Sequence, residues 1–322
     1  MALNICKLHV FLVVFIFALP VKGQYSPVYN FYFDNEFIIN PAFTGNNYYP
    51  VISGGVRKQW AGIDHSPTTA FIGANFRLGS HNFYNPRMML NRSRFKSKER
   101  MGFGGFMLHD QNGPLQSTLL ILSHAYFIPV GYGELSFGLS GKMLYYHINK
   151  SILDPLDNSD TYLLEMNNRV MTVDADFGMY YGMDQFWAGI SFGDLFQSNN
   201  RLGQNAPFEN KWDYFLSAGY KFFLKYLEME PSAVVYLVDE KEARYDLRAK
   251  LYYKNFNWIE IGYRSTNSLL FSVAFKYRLM TIGYRYEQNL NKLANHYTNA
   301  NEIIIGVNFG LNKVEGIRKV VK

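Results

Sequence analysis

Leu269-Leu270-Phe271-Ser272-Val273-Ala274-Phe275-Lys276-Tyr277-Arg278-Leu279 alternates with period two. Leu269, Phe271, Val273, Phe275, Tyr277 and Leu279 form one face. Leu270, Ser272, Ala274, Lys276 and Arg278 form the other, which is mostly small or cationic. Successive side chains of a strand point to opposite faces, so this is one strand with a greasy side and a polar side. A helix would scatter Lys276 and Arg278 around an apolar stripe, and this stretch does not. Ile303, Ile305, Val307, Phe309 and Leu311 repeat the pattern against Ile304, Gly306, Asn308 and Gly310. Tyr245, Leu247, Ala249, Leu251 and Tyr253 do so against Arg244, Asp246, Arg248, Lys250 and Tyr252.

Extended along the chain, the alternation predicts about fourteen strands: 50–60, 67–78, 101–109, 115–128, 132–147, 170–182, 184–195, 211–223, 225–237, 242–254, 257–265, 268–279, 279–288 and 301–311. The third and fourth alternate least well. From the fourth strand on, short connections near Gly131, Gly182–Asp184, Leu224, Asn255–Phe256 and Leu279 alternate with others that include long stretches at 148–169, 196–210 and 289–300. Outer-membrane barrels have short periplasmic turns and long outside loops. The expected fold is therefore an all-β transmembrane antiparallel barrel of the outer-membrane type, with both termini in the periplasm. A soluble β-sandwich also alternates, but it would need a very large core to bury this many aromatics.

Composition agrees. Aromatics make up 17% of the 322 residues and charged residues 18%, yet mean hydropathy is only −0.15. The N-terminus reads as a secretory signal: Lys7, an apolar run Leu8–Pro20, then Val21 and Gly23 at −3 and −1 before Gln24. The run is short for a membrane-spanning helix, which takes about 20 apolar residues. Cleavage would remove Cys6, the only cysteine, leaving no disulfide, thiolate nucleophile or cysteine metal site. The expected organisation is a signal peptide at 1–23, a periplasmic or plug segment at 24–49, a barrel at 50–311 and a basic tail at 312–322. The expected location is the outer membrane, which excludes nucleic acid as a partner.

The predicted inward faces carry nearly balanced charges. Cations include Arg57, Arg77, Lys142, Arg264, Arg278 and Arg285; anions include Glu134, Asp174, Asp176, Asp246, Glu287 and Glu302. A selective pore carries an excess of one sign, so the balance reads as an ion-paired, largely filled interior. No enzyme constellation emerges. The seven histidines show no zinc spacing, Gly102, Gly104 and Gly105 lie in a strand, and Asp174 with Asp176 reads as part of a salt-bridge network. His109 and Asp110 fall in a predicted loop. No catalytic residue, metal or cofactor is expected. Basic residues cluster at Arg87, Arg92, Arg94, Lys96, Lys98 and Arg100 on the predicted periplasmic side. Most such runs are solvated loops; the sharper expectation is docking to an acidic periplasmic partner or to anionic headgroups.

The N-terminal third carries more than a strand needs. Phe37-Ile38-Ile39-Asn40-Pro41-Ala42-Phe43-Thr44-Gly45 is followed by Arg57-Lys58-Gln59-Trp60-Ala61-Gly62, then Ser66-Pro67-Thr68-Thr69, and later Asp110-Gln111-Asn112-Gly113-Pro114. These resemble the N-P-A-[YF]-x-G, R-x-Q-W-x-G, P-T-T and D-x-x-G-P motifs of the PorP/SprF family of Bacteroidetes outer-membrane proteins. The matching positions are Asn40, Pro41, Gly45, Arg57, Gln59, Trp60, Pro67, Thr68, Asp110, Gly113 and Pro114. The resemblance implies a non-enzymatic component or cargo-specific accessory of the type IX secretion system, assisting surface proteins such as gliding adhesins. Implied partners are outer-membrane lipid, the translocon or periplasmic ring lipoproteins, and one large secreted adhesin. The basic 79–100 connection is longer and more charged than the family pattern, which either departs from the standard periplasmic contact or marks a specialised partner. A passive porin or a transporter of small hydrophobic compounds is the alternative. Read on its own, the Asn-Pro…Gly segment is a tight turn feeding the first strand, with Arg57 and Gln59 facing inward and Trp60 near a membrane boundary.

Overall fold

The computed structural model describes residues 35–47, 50–60, 63, 65–78, 100–150, 168–197, 199–203, 206–209, 212–224, 227–238, 242–253, 257–290 and 299–309. The strands are β1 (Val51–Gln59), β2 (Thr68–Arg77), β3 (Met101–Asn112), β4 (Leu115–Val130), β5 (Gly133–Ile148), β6 (Arg169–Gly182) and β7 (Phe186–Gly193). A small hairpin, β8 (Asn199–Gly203) with β9 (Ala206–Glu209), interrupts the wall. The wall resumes with β10 (Asp213–Tyr220), β11 (Phe222–Phe223), β12 (Leu227–Val238), β13 (Glu242–Tyr253), β14 (Asn257–Arg264), β15 (Ser268–Tyr277), β16 (Met280–Asn289) and β17 (Ala300–Asn308). Each wall strand pairs antiparallel with its neighbour in sequence, across the hairpin where β7 meets β10, and β1 pairs with β17. β10 and β11 both pair with β12 and act as one interrupted strand. The described wall is therefore a closed antiparallel barrel of 14 strands.

The faces are inverted relative to a soluble sandwich. Outward side chains are apolar and exposed: Phe275 is 65% exposed, Leu122 64% and Ile72 56%. Inward groups are polar and buried: Asp246 is 0% exposed, Glu302 2% and Arg285 3%. Only a lipid solvent favours that inversion, and a closed barrel lets every wall strand meet its backbone bonds internally. Tyr220, Tyr253 and Tyr277 end β10, β13 and β15 at the short-turn side. Tyr214, Tyr245 and Tyr263 lie toward the opposite ends of β10, β13 and β14. These are the two aromatic girdles of a membrane barrel.

Ile261 lies between Ala249 and Phe271 on the lipid face. Ile261→Arg is expected to destabilise the barrel by about 2–4 kcal/mol, the cost of a cation at bilayer mid-depth. Urea unfolding in lipid vesicles measures it, and a loss below about 0.5 kcal/mol would contradict the lipid-facing assignment.

Three details differ from the sequence expectation. β3 runs to Asn112, because Gly113 (φ 57°) lets a two-residue turn with Pro114 join it to β4, and β4 runs to Val130, where Gly131 (φ 60°) begins the turn into β5. His109 and Asp110 are therefore strand residues, not loop residues. Arg278 sits in the tight β15–β16 turn at φ 54°, exposed, with its guanidinium 5.4 Å from the Tyr277 ring. The turn swings it out of the lumen.

Candidate functional site

The described part of the segment before β1 lies inside the barrel as two short 3-10 turns, Glu36–Ile38 and Pro41–Phe43. Pro41 begins the second turn, where its fixed φ and missing N–H cost nothing. Asn40 caps it: its Oδ1 accepts from Ala42 N at 3.0 Å, and its Nδ2 donates to Met179 O (3.1 Å) and Ile190 O (3.4 Å) on the wall. Gly45, at φ 77°, turns the chain toward β1. The Gly45 N–H donates to Asn75 Oδ1 at 2.6 Å.

The wall is cut to receive this segment. Gly138 and Gly178 face each other across β5 and β6. A Cβ at Gly138 would lie 2.1 Å from the Pro41 carbonyl carbon, and one at Gly178 2.0 Å from Asn40 Oδ1. Gly189 and Gly102 make comparable approaches to Asn40 and Thr44. Glycine inside a strand weakens it but lets another backbone come close. Two wall serines bind the segment's main chain: Ser191 Oγ donates to Ile39 O (2.6 Å) and Ser136 Oγ to Ala42 O (2.8 Å). Phe43 packs on Tyr180 and Trp187, with ring centroids at 4.3 and 5.5 Å. Phe37 meets Phe106 edge-on, and Ile39 joins Phe215, Val234, Tyr236 and Leu270. Phe37, Ala42 and Thr44 are 1%, 0% and 0% exposed.

Charged pairs fill more of the interior. Arg57 reaches Glu287 at 2.6 Å, Arg264 bridges Asp246 (3.2 Å) and Glu287 (3.3 Å), and Arg285 meets Glu302 at 3.3 Å. Across the lumen, Lys142 sits between Asp176 (2.7 Å) and Asp194 (2.8 Å). The geometry is that of charges satisfying one another, with no side chain poised as nucleophile or general base among the described residues.

The family-like residues fall into two groups. Asn40, Pro41 and Gly45 belong to the lumen segment. The rest gather at the opposite, long-loop rim on β1, β2 and β3. Arg57 is paired in register with Thr69, and Thr69 with Asp110; the Thr69 hydroxyl donates to the Asp110 carboxylate. The Gln59 side-chain amide lies against the Arg57 guanidinium, and with its oxygen turned toward Arg57 it accepts from Nη1 and Nη2. Trp60, at φ 52° and 41% exposed, follows β1, and its backbone N–H donates to Asn299 O. Pro67 O accepts from Gln59 N, Thr68 Oγ1 donates to Ser66 O, and Gly113 N donates to His65 O. Pro114 O accepts from Asn149 N. Arg100 is exposed at the short-turn end, with a 3.4 Å bond to Tyr126. Arg87, Arg92, Arg94, Lys96 and Lys98 lie outside the described residues, as do the signal-peptide and tail boundaries. Sequence reading missed the receiving glycines and serines; inward glycine on a strand was the available signal.

Glu36, on the first turn rather than on a spanning strand, has its carboxyl pushed up to about 7, chiefly by burial and then by Glu230, while Lys250, Arg248 and Lys221 pull it down. The folded chain holds that proton more tightly than the unfolded one, so this group's stabilisation is complete below about 4.5 and is lost as pH rises through about 7. Glu36→Gln is expected to flatten that fall in the urea midpoint across about pH 4.5 to 8. An unchanged slope would remove Glu36 as its source.

The chain matches the family described as "Type IX secretion system membrane protein PorP/SprF" over residues 21–307. It belongs to the PorP/SprF family. No curated protein sequence matches it. Among solved structures, this PorP/SprF chain is similar to the outer membrane protein Omp33 of Acinetobacter baumannii, at 7% identity and TM-score 0.49, covering 83% of this chain and 100% of that one. It is also similar to the CymD monoaromatic hydrocarbon channel, at 11% identity and TM-score 0.48, covering 85% and 92%. The toluene transporter TodX of Pseudomonas putida follows at 10% identity and TM-score 0.45, covering 84% and 92%. These likenesses are too remote to bear on what this PorP/SprF barrel carries.

Proposed function

We propose that this PorP/SprF protein is a closed, non-enzymatic outer-membrane accessory of the type IX secretion system that assists export or surface anchoring of proteins such as gliding adhesins. The observation that carries the reading is the filled lumen: wall glycines and serines are fitted to the chain's own segment, and buried ion pairs occupy further interior space. A passive porin would need a continuous aqueous path through the same space. In this reading residues 1–23 are removed on export, 24–49 form the periplasmic or plug segment and 312–322 a basic tail. Protein surfaces do the work. The basic Arg87–Arg100 stretch is the surface for acidic periplasmic ring lipoproteins, and the rim of Gln59, Trp60, Thr68 and Asp110 is the surface for the translocon or one large exported adhesin.

The test is a deletion strain combined with photo-crosslinking in native membranes. The expected result is loss of one or a few surface proteins and recovery of a secretion component on the crosslinker. Unchanged export with no partner captured overturns the reading. Steady conductance of the intact protein in planar bilayers would favour the porin alternative.

A further inference from the structure

The lumen slot reads a main chain, not only side chains. Ser136 and Ser191 each donate to a carbonyl of the inserted segment, Gly138 leaves room for its backbone at the kink made by Asn40-Pro41, and Gly178 leaves room there for the Asn40 side chain. Separate apolar pockets take Phe43 and Ile39. A wall needing only filler would carry larger inward side chains at these positions; instead it removes them and supplies polar groups at backbone height. Hydroxyl donors to carbonyls with pockets for spaced side chains are peptide-recognition chemistry. The slot also lies in the half of the barrel nearer the short turns, since Gly138 is close to the start of β5 and Gly178 to the end of β6.

We propose that this slot is a peptide-binding site, occupied in cis by residues 36–45, which accepts in trans a polypeptide segment with an Asn-Pro-small-aromatic core and apolar flanks entering from the short-turn mouth. The own segment then acts as an intramolecular competitor. The proposal concerns the purified barrel and stands apart from the secretion reading: either can fail while the other holds.

The experiment uses the full mature chain with a protease site inserted between Tyr48 and Tyr49. After cleavage in detergent micelles, a mild urea wash strips the cut segment, and heat-modifiable migration checks that the barrel stays folded. A fluorescent synthetic peptide of residues 35–47 is then added. The expected result is saturable uptake, displaced by unlabelled peptide. Asn40→Ala or Phe43→Ala in the peptide should each weaken binding about tenfold or more. Ser136→Ala with Ser191→Ala in the barrel should weaken it comparably. A segment that cannot be stripped without unfolding the barrel overturns the proposal, because it is then inseparable core. A folded, stripped barrel that takes up no peptide, or takes up a scrambled peptide equally well, overturns it too.

Discussion

Gly138→Val is expected to drive residues 40–43 out of the slot and make the lumen conduct. The added Cβ alone would lie 2.1 Å from the Pro41 carbonyl carbon and 2.2 Å from Ala42 N. Both are backbone atoms, so no flexible side-chain end can yield. Overpacking of this kind costs about 1–3 kcal/mol, and more where backbone must move. The wall is a hydrogen-bonded cylinder and the segment a pair of short turns, so the segment gives way. With it go the Ser136 and Ser191 bonds and the packing of Phe43. The readouts are current steps in planar bilayers and new proteolytic cuts within 36–45. Gly141→Val is the control: three residues along the same strand, on the lipid face, its Cβ would meet nothing within 4 Å. It should stay silent and as stable as the parent. Equal behaviour of the two variants would contradict the fitted slot.

Arg77→Met is expected to destabilise the barrel by about 3–5 kcal/mol, the usual cost of stripping the partner from a buried charge. Arg77 makes a two-pronged pair with Glu134, at 3.1 Å from Nη1 and 3.0 Å from Nη2, and its guanidinium lies 3.6 Å from the Phe127 ring centre. Both side chains are nearly water-free, at 1% and 8% exposure. Methionine keeps the length and loses the charge, so Glu134 is left in the lumen without its cation. Arg77→Met with Glu134→Leu should recover most of the loss, since an apolar pair of similar volume often does as well as a buried ion pair. Urea unfolding of the parent, both single variants and the double variant measures the coupling. Additive losses would show that the pair does not act as a unit.

The wall was legible in the sequence because a strand's two faces are written in alternate residues. Leu269–Tyr277 reads correctly without any knowledge of its neighbours. The β3 end did not, because Asp110-Gln111-Asn112 is polar on both faces and looks like loop until Gly113 and Pro114 are seen to make the whole turn. Arg278 was misplaced because its parity is inward, while the two-residue turn it belongs to rotates it away. The slot was hidden for a different reason. Gly138, Gly178 and Ser191 look like any small inward residues, and only the arrival of Ile39-Asn40-Pro41 from about 100 to 150 residues upstream gives them a purpose. The segment's own motif was visible, but its destination was not, since local pattern carries no distance information.

The closure of β1 on β17 ties the first wall strand made to the last, in nine-residue register from Val51↔Asn308 to Gln59↔Ala300. The lumen segment is joined to the front of β1, so the cylinder that surrounds it is complete only when the final strand docks. Assembly is then an act of swallowing. A chain stalled before residue 300 would offer residues 36–45 an open trough in place of a closed barrel.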